Sequence, residues 1–141
     1  MPGFDLDHFL PYQLAVLSSR ISREFSTLYH QKFGISVAEW RVVAHLSQSG
    51  SVSVREIHEK VDMDKPKVSR AATRLEAQGY ITKTANAKDG RLVSLALTDK
   101  GHAMIAEIAP LAHAYNAEVL KGLGAEEPAF KRAIATLLNR P

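Results

Sequence analysis

Lys67, Arg70 and Arg74 stand at i, i+3 and i+7, the spacing that brings side chains onto one face of an α-helix. Ser69 and Thr73 lie beside them, and Lys65 sits just upstream. Cations and hydroxyls with little acid between them suit contacts to phosphate oxygens and to the edges of bases. Val68, Ala71, Ala72 and Leu75 fall at i, i+3, i+4 and i+7 on the other side, which marks that face as buried. Arg70 and Arg74 therefore point away from the core. Replacing either should weaken a polyanion contact with little effect on thermal stability, and either can reach a base edge or a phosphate.

The charge of the chain is concentrated around this segment. The 141 residues carry 18 Lys+Arg and 15 Asp+Glu, a net of +3. Residues 62–91 hold seven cations (Lys65, Lys67, Arg70, Arg74, Lys83, Lys88 and Arg91) against four anions, which equals the excess of the whole chain. Cysteine is absent, which excludes a disulfide scaffold, a Cys-based zinc site, a Cys nucleophile and thiol redox sensing. The six histidines include no i, i+4 pair of the kind a helical metal site favours, so no metal and no cofactor are expected. No nucleophile elbow, phosphate-binding glycine loop or HExxH motif occurs, and the expectation is that the chain is not an enzyme. The first residues lack the basic and apolar regions of a signal peptide, and no apolar run approaches the ~18–20 residues of a membrane span. A cytoplasmic protein with no membrane partner is expected.

The remaining elements follow from periodicity and caps. Leu10, Leu14, Leu17, Ile21, Phe25 and Leu28 predict one long helix over residues 9–33, stopped by Gly34. Ser36-Val37-Ala38-Glu39 reads as a capping box, hydroxyl and carboxylate each satisfying an orphan backbone donor, and opens a helix to about residue 48. Ser53-Val54-Arg55-Glu56 opens a short helix in the same way. Asp62-Met63-Asp64 is the turn, and Asp64 caps the basic helix, with Pro66 in its first turn. Two helices so closely joined have helix-turn-helix spacing. Gly79 ends the second, after which the apolar period changes to two over residues 80–86 and 92–97. Asp89-Gly90 between them is a hairpin turn signal and puts Lys88 and Arg91 at the tip. Thr98 caps a helix to about residue 122, bent at Pro110, and a last helix begins near Glu126. Apolar stripes at 10–28, 111–119 and 130–138 exceed what a small lobe can cover, which predicts burial between two copies of the chain.

This order resembles the MarR family of winged-helix transcription regulators. The resemblance is carried by Val68-Ser69-Arg70, by Leu75-Glu76-Ala77-Gln78-Gly79-Tyr80-Ile81, by Asp89-Gly90-Arg91 and by Leu97-Thr98-Asp99-Lys100-Gly101, and it spans nearly the whole chain. It implies a mainly α fold with a small β-hairpin wing. Residues 35–98 would form the winged helix-turn-helix lobe, and residues 1–34 and 99–141 the dimerisation helices of a homodimer. It implies a regulator, mostly a repressor, that binds a pseudo-palindromic operator in double-stranded DNA through Lys65, Lys67, Ser69, Arg70, Thr73, Arg74, Lys88 and Arg91. In such proteins a small aromatic or phenolic effector enters between lobe and dimer helices. Tyr12, Val16, Trp40, Val43 and Met104 would then be wall residues, with Arg20 or Arg41 to meet a ligand carboxylate. The alternative is a winged helix used for protein–protein contact.

Overall fold

Ser36, Ser53 and Asp64 each accept a hydrogen bond from the backbone N–H three residues on, and these caps fix where three consecutive helices begin. The structure, a computed structural model, describes residues 3–85 and 93–141. In chain order the elements are α1 (Leu10–Ser26), α2 (His30–Phe33), α3 (Val37–Ser49), β1 (Val52–Ser53), α4 (Val54–Val61), α5 (Lys65–Ala77), β2 (Ile81–Ala85), β3 (Val93–Leu97), α6 (Asp99–Lys121) and α7 (Glu127–Leu138).

Two features depart from the sequence expectation. The single helix over 9–33 is broken between α1 and α2. Ser26 Oγ and Thr27 Oγ1 turn back onto the carbonyls of Arg23 and Glu24. The next amides, of Leu28 and Tyr29, bond only three residues back, to Phe25 and Ser26. Hydroxyl side chains that compete for helix carbonyls loosen the helix at this point. The second departure is β1. It pairs antiparallel with β3 (Val52 opposite Leu95), so the hairpin becomes a three-stranded sheet in the order β1-β3-β2. The β2–β3 register sets Ile81 opposite Leu97 and Ala85 opposite Val93.

The core of the unit formed by residues 1–108 lies under α5. Val68, Ala71, Ala72 and Leu75 are buried, as are Val42, Val43 and Leu46 of α3 and Ile57 of α4. Each large aliphatic side chain so buried contributes about 1.5–3 kcal/mol. The turn between α4 and α5 is residues 62–64, as the spacing predicts. Asp62 takes the left-handed conformation (φ 54°), which a short polar side chain tolerates. Met63 is buried and closes the corner, and the His58 imidazole Nδ1 meets its carbonyl. Phe25, Tyr29 and Trp40 form an aromatic cluster with centroids 5.3–5.5 Å apart.

The second unit, residues 109–141, holds the rest of α6 and α7. The helix α6 continues through Pro110 as one element. No residue of α7 is buried, and Leu111, Phe130, Ile134, Leu137 and Leu138 are exposed. In the first unit Leu6, Phe9, Leu10, Leu14, Leu17 and Leu28 are exposed as well.

Candidate nucleic-acid interface

The helix α5 is fixed at both ends. Asp64 Oδ1 accepts from the Lys67 amide at 2.8 Å. At the other end Gln78 Nε2 donates to the Gly34 carbonyl and the Tyr80 hydroxyl donates to that of Phe33. Lys100 Nζ donates to the Gln78 carbonyl at 2.7 Å and lies over the Tyr80 ring. With four apolar residues in the core, the outward residues of α5 sit on a rigid support.

Lys65, Lys67, Ser69, Arg70, Thr73 and Arg74 are all exposed on this helix, as the spacing predicts. Ser69, Arg70, Thr73 and Arg74 line an open groove of roughly 350 Å³. Lys88 and Arg91 lie outside the described residues.

Two contacts at the groove were not legible in the helix pattern. Thr73 Oγ1 donates to the Ser69 carbonyl and accepts from Lys83 Nζ at 2.8 Å, so its proton is committed inside the chain. Lys83 thereby brings a further cation to the groove. Its signal in sequence was the period of two, which puts it on the strand face of buried Ile81.

The second contact ties Arg74 to α3. Its Nε lies 3.4 Å from Oε2 of Glu39, a carboxylate only 3% exposed in the first turn of α3. Ser36 Oγ donates to the same oxygen at 2.6 Å. The capping box is thus half realised. The Ser36 hydroxyl accepts from the Glu39 amide as expected, but the carboxylate faces Ser36 Oγ and Arg74. Arg74 points away from the Val68/Leu75 face, as the spacing predicts, and is also paired with a buried carboxylate of α3, a contact that bears on the expectation that its removal has little effect on thermal stability.

The residues expected to wall an effector site occupy different environments. Val43 and Met104 are buried core, Trp40 is part of the aromatic cluster, Val16 is half-buried, and Tyr12 and Arg20 are exposed on α1. Arg41 donates to Ser22 Oγ at 3.4 Å. Tyr29, fully buried, has no hydrogen-bond partner for its hydroxyl. Burial pushes its phenol up to about 12, the Arg41 guanidinium offsetting part of this and the Glu39 carboxylate adding to it. Among the described residues no group of three His, Asp or Glu side chains is gathered to hold a metal ion.

Comparison with known proteins agrees with this geometry. The sequence model of the MarR family matches residues 33–92. The transcriptional repressor MdtR of Bacillus subtilis is 36% identical over 97 residues, 69% of this chain and 63% of MdtR, so the match spans under two thirds of that relative. The transcriptional regulator BilQ of Clostridium symbiosum is 32% identical over 124 residues, 85% of this chain and 84% of BilQ. BpsR of Bordetella bronchiseptica, a protein whose DNA binding is regulated by 6-hydroxynicotinic acid, superposes with a TM-score of 0.82 at 19% identity, over 99% of this chain and 100% of BpsR. These relatives are regulators of transcription rather than enzymes. A helix-turn-helix with a basic outer face, a wing sheet behind it and long flanking helices thus has its counterpart across almost the full chain, which belongs to the MarR family of transcriptional regulators.

Proposed function

We propose that the chain is a sequence-specific repressor that binds a pseudo-palindromic operator as a homodimer and is released by a small aromatic or phenolic effector. The observation that carries the DNA reading is the outer face of α5. Lys67, Arg70 and Arg74 stand exposed, the two arginines lining an open groove, on a helix that is capped, buried on its other side and joined to α4 by a three-residue turn. In a helix-turn-helix the second helix enters the major groove. Residues 35–98 serve as the DNA-binding lobe in this reading. Lys65, Lys67, Ser69, Arg70, Thr73 and Arg74 meet the duplex from α5, the two arginines at base edges or phosphates, and Lys88 and Arg91 act from the wing.

Residues 1–34 and 99–141 supply the dimer contacts. The exposed leucines of α1 and the exposed Phe130, Ile134, Leu137 and Leu138 of α7 support this, since apolar area removed from water stabilises by roughly 25 cal/mol per Å². Two-fold symmetry then calls for half-sites about one helical turn apart. The effector reading draws on the family and on BpsR, with Trp40, Tyr12, Val16, Val43, Met104 and Arg20 as the residues to vary. No helix among the described residues is long and apolar enough to cross a membrane, which suits work on cytoplasmic DNA.

The test is selection from a pool of random duplex DNA, followed by gel shift of the enriched duplex at two salt concentrations. A palindromic consensus, bound by a dimer with affinity falling steeply with salt, is expected. Failure to enrich any sequence, or a monomer in sedimentation at micromolar protein, overturns the reading.

A further inference from the structure

Glu39 is an unusual residue to bury for stability alone. Its side chain is 4% exposed, and only Oε2 is engaged, by Ser36 Oγ at 2.6 Å and by Arg74 Nε at 3.4 Å. The other oxygen, Oε1, is buried with no hydrogen-bond partner. A buried carboxylate with half its acceptor capacity unused is expensive, and an apolar residue of similar volume is often neutral or better for stability. The α3 N-terminus and the Ser36 hydroxyl offset part of that.

The partner, by contrast, lies largely in water. The Arg74 side chain is 68% exposed, and the ion pair is made at Nε. Arg74 also lines the groove formed with Ser69, Arg70 and Thr73, so a largely exposed guanidinium anchored at Nε remains available to a ligand there. An arginine otherwise loses much side-chain entropy when it is fixed against a base edge. Glu39 is itself held, by burial and by Ser36, so it limits the positions open to Arg74 before any ligand arrives.

We propose that Glu39 is a positioning residue for DNA recognition, whose buried carboxylate orients the Arg74 guanidinium so that the chain separates its operator from other sequences. The inference rests on the DNA-binding reading above. It has a consequence that a purely structural role lacks. Glu39 removes a positive charge's worth of attraction from the basic face, so it opposes non-specific binding while it aids specific binding. Its loss should therefore change the ratio of the two affinities and not simply lower both.

The experiment compares the wild-type chain, Glu39→Gln, Arg74→Ala and the double variant, each confirmed folded. The probes are the duplex that wild type enriches from a random pool and a scrambled duplex of equal length. In the wild-type background Glu39→Gln should lower the ratio of specific to non-specific affinity about tenfold, within the range of one bidentate arginine–base contact, with scrambled-duplex affinity unchanged or higher. In the Arg74→Ala background the same change should leave the ratio within about twofold, because the two residues act as one unit. An unchanged ratio for Glu39→Gln, or an equal fall with and without Arg74, overturns the proposal while leaving DNA binding intact. If wild type enriches no sequence, the DNA-binding reading itself falls, and this inference with it.

Discussion

The backbone of Gly101 lies so close to Tyr80 that a Cβ at position 101 would overlap the Tyr80 carbonyl oxygen. The contact is held from both sides. Thr98 Oγ1 donates to the Gly79 carbonyl at 2.6 Å and accepts from the Gly101 amide at 3.1 Å, while the Thr98 amide donates to Tyr80. The Leu-Thr-x-x-Gly pattern is thus a joint that fastens the start of α6 to the turn leaving α5. In Gly101→Ala the severest overlap is with backbone, so shifting the nearby Leu97 side chain cannot relieve it. It should destabilise by about 1–3 kcal/mol or more, as overpacked sites do. Chemical denaturation of wild type and variant measures it, and an unchanged midpoint would mean that the joint yields freely.

Arg70 and Arg74 share an exposed face, and Arg74 is also paired with Glu39. Arg70→Ala should reduce operator affinity and leave the unfolding midpoint within about 0.5 kcal/mol, as for most surface changes. Arg74→Ala should reduce affinity and also stability, by on the order of 1–3 kcal/mol, because Glu39 stays buried without its cation. The upper end is discounted because Arg74 itself is largely in water. Equal unfolding midpoints for the two variants would show that Glu39 is satisfied without Arg74.

The helix-turn-helix was legible because its signals agree. Asp64, Pro66 and the 68/71/72/75 stripe all specify α5 with one buried face, and the structure buries those four residues. What escaped the sequence was short or long-range. The strand β1 has two residues, too few to show a period, and exists through its pairing with β3. The break after α1 depended on where two hydroxyls found acceptors, whereas Leu28 continued the apolar spacing across it. The Glu39–Arg74 pair joins residues 35 positions apart on different helices, and the local capping pattern had already assigned the carboxylate another role. Lys83 reaches Thr73 only because the strand folds back under the helix.

Two cations outside α5 are expected to act differently on DNA. Lys83 is a point charge at the edge of the groove, beside Thr73. Lys83→Ala should weaken binding to operator and scrambled duplex alike and lower the salt slope by about 1. Arg91 belongs to the expected wing tip, where a guanidinium enters the narrow minor groove of A·T-rich flanks. Arg91→Ala should lower the slope by about 1 as well, and should also flatten any preference for A·T over G·C flanks while keeping the core sequence preference. Operators with swapped flanks separate the two. Identical flank preference in wild type and Arg91→Ala would remove the wing from the mechanism.

Tyr29 makes the stability of the chain sensitive to alkali. Its phenol is pushed up from the ordinary 10.0 to about 12, first by burial, with Arg41 opposing and Glu39 adding. The folded chain therefore holds this proton more tightly than the unfolded chain does. That contribution is fully present below pH 10 and is lost as pH rises through about 12. A shift of this size corresponds to about 2–3 kcal/mol between the two limits. The informative quantity is a difference between two proteins. Tyr29→Phe keeps the ring contacts with Phe25 and Trp40 and removes the ionisable group. Between about pH 9 and about pH 12 the wild type should lose about 2–3 kcal/mol more unfolding free energy than Tyr29→Phe, read from denaturant midpoints at each pH. Parallel curves for the two proteins would show that the Tyr29 hydroxyl ionises as readily folded as unfolded, and would refute its burial without a compensating partner.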